Sequence, residues 1–81
     1  MNLYKLVVDT DGYEVYKGFM IAAYSIPQAF EVMYEYVCKD KDWIPYYLRC
    51  SNISIKCLGK FEPENASNFK PQVLMVDYIN A

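Results

Sequence analysis

An α+β domain with one antiparallel sheet and a single helix is predicted by three features of this 81-residue chain. Two β-favouring runs flank an Asp-Gly turn signal at Asp9–Gly12. One apolar stripe at helical spacing follows a Ser-x-x-Gln cap. Two further β-favouring runs close the chain. The predicted order is β-β-α-β-β within one domain spanning residues 1–81.

Leu3 to Val8 reads as the first strand, and Asp9-Thr10-Asp11-Gly12 as a hairpin turn. Tyr13 to Ala23 reads as the second strand. Strict alternation puts Tyr16, Gly18, Met20 and Ala22 on one face and Val15, Lys17, Phe19, Ile21 and Ala23 on the other. A helix starts after Ser25, where Pro27 fits because first-turn N–H groups have no intrahelical acceptor. Ile26, Ala29, Phe30, Met33 and Val37 form its core stripe. Tyr34 and Tyr36 flank that stripe, while Gln28, Glu31 and Glu35 face outward and Glu35 pairs with Lys39 four residues on. The helix fades near Lys39–Asp42. Trp43–Leu48, interrupted by Pro45, is a connection packed partly on the core. Ile53–Leu58 is the third strand, Gly59–Pro71 a loop and Gln72–Ile79 the last strand. A crossover from the second strand through the helix favours a third strand beside the first, so the expected sheet order is 2-1-3-4, with a 1-2-3-4 meander as the alternative.

Composition then bounds function. Nine residues are tyrosine and none is histidine. Tyrosine suits surfaces that are both buried and wetted, whereas histidine is the common proton shuttle and metal ligand. The pairing points to binding, not catalysis, with no cofactor and no metal. Ser25 and Ser54 have no histidine for a triad. Cys38, Cys50 and Cys57 lack metal-like spacing and are expected to be free thiols packed as small apolar groups. A net charge of −2 gives no basic stripe for direct nucleic-acid binding. No apolar run is long enough for a membrane span, and the N-terminus enters a strand directly, so a cytoplasmic location is expected. The hydrophobic class makes up 54% of so short a chain that some of it must stay exposed, which favours an interface or a homodimer.

Asp9, Asp11 and Glu14 cluster at the first turn, but Gly12 stands fourth where a calcium loop needs its glycine sixth, so an ordinary turn is expected. The stronger constellation is aromatic and acidic together. It comprises Asp9, Asp11, Tyr13 and Glu14 at the hairpin, Glu31, Tyr34 and Glu35 on the helix, and Asp40, Asp42, Trp43, Tyr46 and Tyr47 after it. Aromatic anchors rimmed by charge are the make-up of a binding hot spot, and the acids suit a basic groove that normally holds nucleic acid.

Three stretches carry a family resemblance. They are the hairpin Leu3–Asp9 to Gly12–Tyr16, the run Phe19–Ser25 before a helix containing Ala29, and the ending Val73–Ala81. Together they resemble the small uncharacterised proteins of phages and prophages of Gram-positive bacteria. Those run strand, strand, a Val-Ala-x-Ser entry into an acidic helix, then a closing hairpin. The tyrosine load and Trp43–Leu48 depart from that pattern. The resemblance implies an accessory protein in the host bacterial cytoplasm that counters immunity in the manner of an anti-CRISPR inhibitor. Its partner would be a host defence protein such as a Cas nuclease complex, blocked sterically. Sequestration of a signalling nucleotide by an oligomer, or a structural homodimer, are the alternatives. The resemblance assigns no role to any single residue.

Overall fold

The computed structural model describes residues 1–12, 14–64 and 68–79. It contains β1 (Asn2–Val8), β2 (Val15–Ala23), α1 (Ile26–Lys41), two short 3-10 turns (Tyr46–Leu48 and Cys50–Asn52), β3 (Ile53–Lys60) and β4 (Gln72–Ile79). The strands make one antiparallel sheet in the order β3-β1-β2-β4, with α1 on one face over β2 and β4. The α+β class and the four antiparallel strands are as the sequence predicts. Among the described residues, no helix is long and apolar enough to cross a membrane.

β3 does lie beside β1, but the expected order 2-1-3-4 is corrected at β4, which pairs with β2 and not with β3. The closing pair is therefore not a hairpin: β3 and β4 form opposite edges, joined by residues 61–71. Burial explains the placement. Val73, Val76 and Tyr78 of β4 pack against the core, and they do so beneath α1. A fourth strand outside β3 would have no helix to cover its apolar side.

The helix is set by its ends. Ser25 Oγ accepts a hydrogen bond from the Gln28 N–H at 3.2 Å, while Gln28 Oε1 accepts from the Tyr24 N–H at 2.7 Å. This is a capping box whose return bond lands one residue before the cap. Asp42, at φ 65°, closes the other end with its N–H on the Cys38 carbonyl. Ala29, Met33 and Val37 are fully buried, whereas Ile26 is exposed, since it precedes the first full turn over the sheet.

Strict alternation fails in β2. The register with β4 passes from Tyr16 to Gly18 and leaves Lys17 in a bulge. Tyr16 consequently shares the helix-side face with Phe19 and Ile21 and is buried, a correction to its expected place beside Gly18 and Met20. Lys17 Nζ instead donates to the Thr10 carbonyl across the hairpin. The β1–β2 ladder ends at Val7 and Gly18, while β2 starts at Val15 through its pairing with Ile79, so the ladder does not close on a tight Asp-Gly turn. At Gly18 a Cβ would stand 3.0 Å from the Leu6 carbonyl oxygen, which makes glycine the residue that fits there. Matching shifts leave Leu74 of β4 and Leu58 of β3 outside their ladders.

Candidate partner-binding site

The bulge also decides what happens at the end of the sheet where the first hairpin, the C-terminus of α1 and the C-terminal end of β4 meet. Freed from β1, the Tyr16 N–H donates to the Tyr47 hydroxyl at 2.8 Å. The Tyr16 hydroxyl donates in turn to Asp40 at the end of α1. On the helix's other flank, the Tyr34 hydroxyl donates to the Leu48 carbonyl at 2.9 Å and lies 3.4 Å from Cys50 Sγ. Asn52 Nδ2 donates to the Tyr47 carbonyl at 3.1 Å. Leu48 and Pro45 are buried beneath these bonds. The segment Trp43–Leu48 is thus rooted at its C-terminal half by one buried leucine, the Tyr34 hydroxyl, the Tyr16 backbone N–H and the Asn52 side chain.

Titration follows from these contacts. Burial, then the hydrogen bond and charge of Asp40, raise the Tyr16 phenol well above its ordinary range. Burial, then contact with Cys50, push Tyr34 up to about 12. Burial also raises Tyr47, against the stabilising backbone N–H of Tyr16. All three phenols remain neutral donors or acceptors at physiological pH.

The N-terminal half of the same segment points outward. Trp43 is 60% exposed and Tyr46 is 76% exposed. Arg49 lies over the Tyr46 ring at 4.2 Å and reaches its hydroxyl at 2.6 Å. Between Trp43, Tyr46, Tyr47 and Tyr78 runs a cleft of about 550 Å³, with Glu14 and Lys41 at its polar side. Lys41 Nζ sits 5.1 Å from the Tyr78 ring centroid and 3.3 Å from its hydroxyl. That hydrogen bond is the main reason the Lys41 pKa is raised.

The structure brings together part of the predicted constellation. Trp43, Tyr46, Tyr47 and Glu14 meet at the cleft, with Asp40 alongside, held by Tyr16, and Asp42 adjoining Trp43. Asp9 and Asp11 are exposed on the hairpin at the same end. Tyr13 lies outside the described residues. Glu31 and Glu35 do not join, since they ride the exposed helix surface, where Glu35 pairs with Lys39 at 3.5 Å. Tyr34 supports the segment from behind and is not part of the docking surface. That ion pair is the only one among the described residues, so Asp9, Asp11, Glu14, Asp40 and Asp42 have no cationic partner there. No group of His, Cys, Asp or Glu among the described residues is arranged to hold a metal ion.

Sequence reasoning missed Tyr78 and Lys41, which reach the cleft from β4 and the last helical turn. Their signal was weak: Tyr78 alternates with Val76 as one more strand residue, and Lys41 reads as a cation near a helix C-terminus. The three cysteines are free, as expected, but all are exposed and not packed inside. Cys38 is on the outer helix surface, and Cys57 lies past the part of β3 that the helix side covers. No family model matches the chain, and no curated protein or solved structure matches it either.

Proposed function

We propose that this protein is a contact inhibitor that sets its aromatic and acidic end against a basic surface of a bacterial immune protein complex and blocks that surface sterically. One observation carries the reading: Trp43 and Tyr46 stand exposed on a rooted segment among carboxylates that have no cationic partner within the described fold. Rigid rings that lose little freedom on binding are efficient anchors, and unneutralised acids around them favour lysine- and arginine-rich grooves. The likeness to phage accessory proteins supplies the class of target, a Cas nuclease complex whose nucleic-acid channel offers such a groove. Binding needs no chemistry from the inhibitor, in keeping with a chain that has no histidine.

The test is inhibition of a purified Cas nuclease complex by the wild-type protein and by Trp43→Ala and Tyr46→Ala. Expected are co-purification with the complex, inhibition that weakens as salt rises, and at least a tenfold loss of potency in each variant. Unchanged interference in cells expressing the protein would remove that system as the target. Variants as potent as wild type would remove the aromatic end as the docking surface.

The cleft itself favours a second reading, in which a nucleobase stacks between Tyr46 and Tyr78 with Lys41 near a phosphate. Heat-denatured protein would then release a retained nucleotide, and none would be found if the protein acts by surface contact alone.

A further inference from the structure

The two edges of the sheet are unequal. Both edge strands carry one register irregularity, at Leu58 and at Leu74, but β3 also guards its free edge with Lys56, Lys60 and a glycine at 59. β4 carries neither lysine nor proline in Gln72–Ile79; Asp77 is its sole charge. Leu74, Met75 and Ile79 are exposed along it, Met75 at 67%. An eight-residue strand with five aliphatic side chains (Val73, Leu74, Met75, Val76 and Ile79) and a free edge of backbone donors and acceptors forms a template for another strand.

The helix is placed to complete such a pairing. α1 covers β2 and β4, not the centre of the sheet, so it lies towards this edge. Val32, Glu35, Tyr36 and Lys39 line a furrow of about 160 Å³ between the helix and Val73. Tyr36 is 41% exposed there.

We infer that a second copy of this chain occupies the β4 edge, pairing β4 with β4 in antiparallel fashion about a two-fold axis normal to the sheet. Strands about 4.8 Å apart then place the two helices on the same face, antiparallel and roughly 10–14 Å apart. Helices in direct contact pack at about 8–10 Å, so two Tyr36 rings fill the remainder. The same rotation carries Glu35 of one copy towards the Lys39 end of the other, so the furrow charges are self-complementary. An isologous contact of this kind closes on itself and leaves β3, the guarded edge, outermost. The two docking ends then point in opposite directions, since β4 is reversed between the copies. The β4 pairing is independent of what those ends bind.

The test is light scattering across a concentration series on the wild-type chain, with Met75→Lys and Tyr36→Lys made separately. Each variant sets like charges near the axis, and Met75 is exposed enough for its replacement to leave the fold intact. The wild type is expected at twice the 9.5 kDa chain mass. Each variant that folds by circular dichroism is expected to raise the dissociation constant at least tenfold. Amide exchange in the wild type gives an independent readout: the outward amides of β4 are expected to be protected, and those of β3 not. A monomer at every concentration, protection at β3 in place of β4, or folded variants that dimerise as well as wild type would each overturn the inference. A monomer would leave the β4 edge to a strand from another protein.

Discussion

Trp43–Leu48 holds two regions of opposite character within six residues. At Leu48 and Tyr47 the chain is locked, with a fully buried side chain and hydrogen bonds from Tyr16, Tyr34 and Asn52. At Trp43 and Tyr46 comparable apolar mass is left in water, held only by Pro45 between them and by Arg49 against one ring. Proteins that need aromatic rings only for stability bury them. Here the root supplies rigidity that the tip does not need for folding. A rigid tip loses little freedom when it meets a partner, which is the physical reason to read it as a docking element.

The sharpest way to break this contrast is at the root. Leu48→Ala removes a side chain with no exposed surface and leaves a cavity, with an expected cost of about 2–5 kcal/mol in denaturant unfolding. So large a loss in a small domain threatens folding itself. A cost below about 1 kcal/mol would show that the segment is not anchored through Leu48.

Raising the pH acts on the same root through its phenols. Tyr16, Tyr34 and Tyr47 all have folded-state pKa values above the ordinary 10.0, with burial as the first cause. The neutral form is favoured by folding, so the stability they contribute is intact below pH 10. It falls as the unfolded chain's phenols ionise, and is lost as pH rises through the folded values, about 12 for Tyr34. Urea midpoints should therefore be level from pH 7 to 9 and drop steeply above 10. Absorbance titration should show these three ionising above the ordinary range of a phenol. A midpoint that is flat to pH 12 would contradict the burial of these phenols.

A smaller effect isolates one bond. Tyr47→Phe keeps the ring and removes the acceptor of the Tyr16 N–H, for an expected loss of about 1–2 kcal/mol. Tyr34→Phe provides the parallel test on the helix flank. If Tyr47→Phe were neutral, the N–H freed by the Lys17 bulge would have another partner.

How much of this could be read in advance depends on the range of the forces involved. Ser25, Gln28 and the Ala29–Met33–Val37 stripe declare the helix because caps and periodicity act within a few residues. The strands are legible for the same reason. The place of β4 was not, since it depends on where α1 comes to rest, and nothing in Gln72–Ile79 names its neighbour. The Lys17 bulge was hidden too: a run with apolar residues on both faces gives no sign of a skipped position, and one skipped position moves Tyr16 from the open face to the core. Within the site, Trp43 and Tyr46 stood out because proline between aromatics breaks the helix and leaves rings on a turn. Periodicity puts Glu31 and Glu35 on the outward face of the helix, and where that face lies relative to the cleft depends on the tertiary fold, which sets the two apart.

The smallest expected change carries the most information about purpose. Trp43→Ala should alter unfolding free energy by no more than about 0.5 kcal/mol and Tyr46→Ala by no more than about 1 kcal/mol, because exposed side chains away from caps and buried bonds contribute little to the folded state. Tyr46 loses only its contact with Arg49, a cation–π pair worth about 0.5–1 kcal/mol at most in such an exposed setting. Thermal melts of the two variants, set beside Tyr47→Phe, would measure the contrast within one six-residue stretch. A Trp43→Ala loss as large as that of Leu48→Ala would place the indole in the stabilising core and take away the argument for a docking tip. A neutral melt, together with weakened inhibition, would leave partner contact as the remaining use for two large rings that the fold does not need.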